Sequence, residues 1–423
     1  MRPNLRYWWL GAAMLTAAVG ATTPARGAAP KSTGWNPPVA VSTKQAARET
    51  SIVMNPRNPN HLFICEPSGV PAVDHGSSFY YMSSDGGKKW RAVDVETATT
   101  DTRSYAFEGG DCDVAFDAGG TMYTADTWVG NLSIGSSRDN GESWDGSMVS
   151  VTAPIVDRPW LVGGPPGTVY LAYHDLQCCA PSAMWFTKST DYGKTFLPAV
   201  PITTAADPDG ASTWEGNFVV SPSGNDLYLV YSRRVGGVLN VNLPEQIRVA
   251  ASHDGGLTWA HHQIAEIPRE TSSIYPSIGL DKGGFLHVVW AAPRDKDNPV
   301  FYTMSKDQGR TWAPYKPLNG GKNGQAPWVE GGRPGEAAIV WLGTPDGVAD
   351  SESDWYFYWA RVRNGKVTTG TTTRTPMWSG SQTKPEFEMV RLDKQGRMHI
   401  GMSVFVGRDK WAVFYQRETL PPK

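Results

Sequence analysis

The chain of 423 residues is 40% hydrophobic and 19% charged, with a formal net charge of −2, values that exclude a disordered chain and an extended coiled coil. Near-neutrality without a long Lys/Arg run removes the electrostatic attraction on which nucleic-acid binding rests, so DNA and RNA are not expected partners. With 45 glycines, 32 prolines and 11% aromatic residues, the composition points to many short strands joined by tight turns.

The first element in chain order is a secretory signal. Arg2 and Arg6 precede the apolar run from Tyr7 to Val19, and the small residues Ala25, Gly27, Ala28 and Ala29 follow it. The run is short for a membrane span, and no later stretch approaches about 18 uninterrupted apolar residues. Residues 1–29 are therefore expected to leave as a signal peptide, with 30–423 forming one domain that is secreted or periplasmic. An extended segment, Pro37 to Ser42, comes next. Beyond it the pattern Ser-x-Asp-x-Gly-x-x-aromatic occurs five times, around Asp85, Asp139, Asp191, Asp254 and Asp307. A period of about 50 residues belongs to propeller and array architectures. In each copy the Asp can accept bonds from turn amides, the Gly supplies a positive φ, and the aromatic residue starts the next strand.

Strands fall into place around these turns. Inner strands are expected to begin near Ser51, Asp111, Arg158, Gly216, Pro276, Pro327 and Phe387. The second unit shows the full set: Asp111 to Asp117, Thr121 to Trp128, Asn131 to Ser137, and Ser143 to Val151. The sixth unit lacks the pattern and turns instead at Asn364-Gly365, a hairpin signal. The seventh has only three strands, Phe387 to Leu392, Met398 to Phe405 and Trp411 to Arg417. Pro37 to Ser42 is left to supply its fourth and close the ring from the N-terminus.

The five turns resemble the Asp boxes, or BNR repeats, of the sialidase-superfamily β-propellers. That resemblance implies an all-β fold, a single β-propeller, in which each box closes the turn between the third and fourth strands of a blade, away from the active site. The five Asp residues are then structural. Seven inner strands predict seven blades, with a six-bladed ring of sialidase type as the alternative. In an exported chain the four cysteines are disulfide candidates. Cys65 ends the second strand of the first blade and Cys112 begins the inner strand of the second, so a bond between them is expected. Cys178 and Cys179 form a vicinal bond, stay reduced, or cross-pair with the other two.

In a four-stranded blade the turn before the inner strand and the turn after the second strand share the face opposite the boxes, and functional residues are sought there. This selects Asp157, Glu215 and Glu386 as carboxylates for acid/base work, and His174 and Tyr275 as further catalytic candidates. Arg48, Arg158, Arg233 and Arg294 could bind anionic groups, and Trp160, Trp214 and Trp328 could stack on sugar rings. Glu49, Glu66, Asp111 and Asp113 share the same face. Asp157-Arg158 could equally be a blade-to-blade ion pair, Glu215 an acceptor of backbone amides, and His174 a plain hydrogen-bonding residue. Arg48 matches by position the first arginine of sialidases, whose Arg-Ile-Pro run reads Arg48-Glu49-Thr50 here. The resemblance implies a glycoside hydrolase of exo-sialidase type acting as a monomer on a carbohydrate, without cofactor or metal. A polysaccharide lyase, as among known seven-bladed propellers, and a non-catalytic glycan- or protein-binding module are the alternatives.

Overall fold

The computed structural model describes residues 34–43, 48–67, 78–95, 111–128, 131–150, 156–175, 183–203, 212–234, 245–267, 275–291, 299–318, 322–348, 350–380, 385, 387–407 and 410–419. These form seven antiparallel sheets, each built on four strands, and together they make a seven-bladed β-propeller. Inner strands are Glu49–Met54, Cys112–Phe116, Val156–Gly163, Ser212–Val220, Ser277–Leu280 and Lys322–Gly331, and the last is split into Phe387–Glu388 and Val390–Leu392. All start within about five residues of the expected positions, and the six-bladed alternative is set aside. The expected signal peptide lies outside the described residues, among which no helix is long and apolar enough to cross a membrane.

The last blade takes its outer strand from the N-terminus. Val39–Ser42 pairs with Lys410–Arg417, with Val39 opposite Tyr415. The inner strand of blade one also runs parallel to the start of the last inner strand, Glu49 beside Phe387 and Thr50 beside Glu388. Outer strands of blades three and five, Val200–Pro201 and Lys316–Pro317, are only two residues long because a proline has no N–H to continue the ladder.

The five repeated turns share one geometry. In the first, Ser83 donates to Asp85 Oδ1 at 2.9 Å, which also accepts the N–H groups of Lys88 and Lys89, while the Gly87 N–H donates to Ser83 Oγ at 2.9 Å. Gly87 has φ +86°, and a Cβ there would lie 2.0 Å from the Tyr415 ring, so glycine is required twice over. In the third turn, bonds from the Thr195 hydroxyl and N–H hold Asp191 below the usual carboxylate range.

A second repeat escapes the sequence reading. Asp-x-x-Gly-x-x-Tyr/His occurs at Asp117 to Tyr123, Asp281 to His287 and Asp393 to His399. Each Asp bonds the ring six residues on, and Asp117 and Asp281 also accept the N–H of a glycine in the next blade, Gly167 at 2.7 Å and Gly335 at 2.6 Å. These are inter-blade latches, and the buried His287 and His399 belong to them.

Blade one is also tied to blade two covalently. Cys65 and Cys112, both buried, form the expected disulfide across 47 residues. Cys178 and Cys179 lie outside the described residues. By loop-closure entropy this bond stabilises the fold by about 3–4 kcal/mol. A Cys65→Ala/Cys112→Ala double variant should lower the urea midpoint accordingly, and a loss below about 0.5 kcal/mol would show that the packed sheets alone hold the two blades together.

Candidate functional site

Two x-Pro-Trp segments shape the centre of the ring. Pro159 and Pro327 offer no N–H to the ladder, so pairing slips between Asp157 and Trp160 and again between Gln325 and Trp328. The residue before each proline takes a positive φ, +36° at Arg158 and +51° at Ala326. Both bulges bring a tryptophan to the axis. Trp160 and Trp328 lie 5.5 Å apart between centroids and pack on Phe387 at 5.3 and 5.6 Å. Tyr275 closes the group edge-on against Trp160 and Phe387. These four rings plug the channel. Trp160 and Trp328 are each 1% exposed, so the faces expected to receive a sugar are covered by other rings.

Arg158 sits on this plug, fully buried. Its guanidinium donates to Glu49 Oε2 and to Ser51 Oγ, each at 3.1 Å, and stacks over Trp160 at 4.5 Å and Phe387 at 4.1 Å. Burial works against its charge, but Glu49, Asp111 and Asp113 outweigh that effect. The Arg158 N–H meets two carboxyl groups at once, Asp157 Oδ1 at 2.9 Å and Asp111 Oδ2 at 3.3 Å. Burial pushes Asp157 up to about 8, with the hydrogen bond and charge of Asp111 adding to it. Against the push of its own burial, the bond from Asp157 and the Arg158 charge hold Asp111 low. The pair therefore keeps one proton between them at neutral pH, and both residues are half-buried at the mouth of the ring.

Around this pair the structure builds supports. Glu66 is buried and accepts the N–H groups of Arg48 at 2.7 Å and Glu49 at 3.0 Å together with the Thr50 hydroxyl, which fixes the backbone that aims Glu49 at Arg158. Glu388, also buried, accepts the Ser403 N–H at 2.9 Å. Burial raises both carboxyl groups above their ordinary range. Asp113 accepts the Leu161 N–H at 2.7 Å.

Of the residues named from sequence, Asp157, Arg158, Trp160, Tyr275 and Trp328 come together. His174 is buried and directly opposite Asp157 on the adjacent strand. Arg48 stacks over Trp411 at 5.7 Å, and Arg233 is buried against Gln246 at 3.3 Å in blade four. Trp214 and Glu215 lie in the inner strand of blade four with their side chains outside the described set, as are Arg294 and Glu386 entirely. Glu49 and Asp111 were flagged only by their position at inner-strand starts, and Phe387 only as a strand start.

No family model matches the chain, and no curated protein matches it. Solved structures do. An α-L-arabinanase of Penicillium chrysogenum complexed with arabinobiose is 13% identical, with 91% of this chain and 98% of that chain covered at a TM-score of 0.50. The α-L-arabinofuranosidase Arb93A of Fusarium graminearum, bound to an iminosugar inhibitor, is 13% identical over the same shares at 0.51. A polysaccharide lyase described as an ulvan lyase, bound to a repeat of glucuronate and sulfated rhamnose, is 12% identical, covering 90% of this chain and 95% of that one at 0.55. At such identities the likeness establishes a shared propeller fold.

Proposed function

We propose that the protein is an exported glycan-cleaving enzyme, a glycoside hydrolase in which Asp157 is the proton donor. The observation that carries this reading is the Asp111–Asp157 pair, two carboxyl groups converging on one N–H and sharing one proton at the mouth of the ring. Such a pair offers an acid that stays protonated at neutral pH, as acetal cleavage requires. Asp157 gives its proton to the glycosidic oxygen as the bond to the anomeric carbon lengthens. Glu49, ion-paired with Arg158 and 13% exposed, supplies the second carboxylate, which faces the positive charge that develops on the sugar and takes a proton from the water that adds to the anomeric carbon. The three solved propellers named above, each described as acting on or binding glycans, support a glycan as the partner. The disulfide supports work outside the cytoplasm.

The exo-sialidase form of this reading asks for arginines open to a substrate carboxylate. Arg158 is spent on Glu49 and Ser51 and covered by two rings, so the proposal is for a glycan that carries no carboxylate at this point. One observation favours a lyase as a second reading: His174 faces Asp157 across the strand pair, where it could act as the base that removes a proton beside a uronate carboxylate.

Incubating the full-length mature protein with arabinan, sialyllactose and ulvan separates these outcomes. New reducing ends from a neutral glycan, without the absorbance of an unsaturated product, are expected. Unsaturated product from ulvan would transfer the assignment to the lyase, free sialic acid would restore the sialidase form, and no product from a broad glycan panel would leave a binding module.

A further inference from the structure

We propose that the opposite end of the channel is a separate binding site for a small amphipathic anion, a molecule with an apolar body and a carboxylate, sulfate or phosphate head. The inference does not rest on the hydrolase reading. Beneath the aromatic plug the channel opens into a cavity of about 390 Å3, within the range of small-molecule sites. It lies at the far ends of the inner strands, on the face that carries the repeated turns. Met54, Phe116, Val162, Val219, Leu280 and Leu392 make its wall, and Trp160 and Trp328 floor it.

Each acid that lines this hollow has at least one partner. Asp113 accepts the Leu161 N–H, Asp281 is bound by three backbone N–H groups and His287, and Glu330 pairs with Arg391 at 3.1 Å. At the lip, a depression of about 130 Å3 shares Lys282, Glu330 and Leu392 with the cavity. Arg333 and Lys394 line it too. These three cations hold the same place in the first hairpin turns of three successive blades, in Asp281-Lys282-Gly283, Gly332-Arg333-Pro334 and Asp393-Lys394-Gln395. The turns of blades five and six are joined by the Lys282 N–H, which donates to Gly332 O at 3.0 Å.

Lys282, Arg333 and Lys394 are exposed, and none has an ion pair among the described residues. The other charges of the depression are matched: Glu336 with Arg363 at 3.3 Å, Asp393 with Arg397 at 2.6 Å, and Arg361 with Glu418 at 2.7 Å. A hollow walled on part of its surface by apolar side chains, with unspent cations at its lip, is complementary to an anion on an apolar stem. The stem leaves water for the cavity, and the head keeps its charge at the wet rim.

The test uses 8-anilinonaphthalene-1-sulfonate as a fluorescent probe on the mature, folded protein, with dodecanoate, dodecanol and inorganic sulfate as competitors. Saturable binding at one site is expected, displaced by dodecanoate at concentrations at least tenfold lower than by dodecanol or sulfate. Lys282→Glu/Arg333→Glu/Lys394→Glu, a surface change, should weaken binding at least tenfold while leaving glycan cleavage unchanged. Val219→Trp should abolish binding by filling the cavity, and Asp157→Asn should leave it intact. Absence of saturable binding, or binding indifferent to the triple variant, overturns the site. Equal displacement by dodecanol removes the anionic head from the proposal, and equal displacement by sulfate removes the apolar body.

Discussion

Asp157→Asn is expected to lower glycan cleavage by about 10²–10⁴-fold, the usual worth of a positioned general acid, without loss of the fold. The amide keeps the size of the carboxyl group and can still donate to Asp111, but it has no proton to give to a leaving oxygen. The pH dependence carries the sharper signature. In the wild type kcat/KM should fall as pH rises through about 8, where Asp157 loses its proton, and this alkaline limb should be missing from the residual activity of the variant. The stability of the variant should move opposite to its activity. The folded-state pKa of Asp157 is raised above its unfolded value of about 4, so its contribution to stability is fully present below pH 4 and is lost as pH rises towards 8. The variant escapes that loss, and above pH 8 its urea midpoint should equal or exceed that of the wild type. A residual activity within threefold of the wild type would remove Asp157 from the chemistry.

That opposition between activity and stability marks the kind of position that sequence reading reaches only in part. The framework was legible because its signals are local. Asp, Gly and an aromatic residue at fixed offsets make a turn wherever they occur, and Asn364-Gly365 turns a hairpin with both residues at positive φ, +48° and +80°. Strand starts then followed from spacing, and the Cys65–Cys112 bond followed from the strands. The Asp-x-x-Gly-x-x-Tyr/His latch was equally local and could have been found by the same search for repeats.

The site was legible as a face and not as a constellation. Asp157 and Arg158 were selected because they stand at an inner-strand start, but the partner of Arg158 is Glu49, 109 residues away, and nothing in a single sequence names such a partner. Trp160 and Trp328 were misjudged for a related reason. Simple alternation along a strand gives no warning that Pro159 and Pro327 each force a bulge that turns the next residue onto the axis. The two x-Pro-Trp segments, Arg158-Pro159-Trp160 and Ala326-Pro327-Trp328, were the available clue. Read as a pair, they predict two matching kinks in blades three and six and a ring contact between them.

The same plug makes Arg158 the position where a single substitution should cost most. Arg158→Met preserves an unbranched stem and much of the packing against Trp160 and Phe387, but it withdraws the cation that Glu49, Asp111 and Asp113 face. Removing one partner from a buried ion cluster leaves charges without compensation, at a cost of about 3–5 kcal/mol. Part of that penalty can be avoided only by protonation. Without the guanidinium, Asp111 loses one of the influences that hold it low, so the pair should take up its second proton at higher pH; Glu49, the carboxylate on which the reaction relies, loses its ion-pair partner as well, and the acid limb of activity should move upward. Arg158→Lys should fall between the two. An ammonium group retains the charge but cannot present two N–H groups to Glu49 and Ser51 while lying flat between two rings. Urea midpoints ranked wild type, Lys, Met, together with an acid limb displaced in the same order, are the expected result. A Met variant within about 1 kcal/mol of the wild type would mean that the carboxyl cluster is neutral without Arg158, and the proton shared by Asp111 and Asp157 would then need another cause.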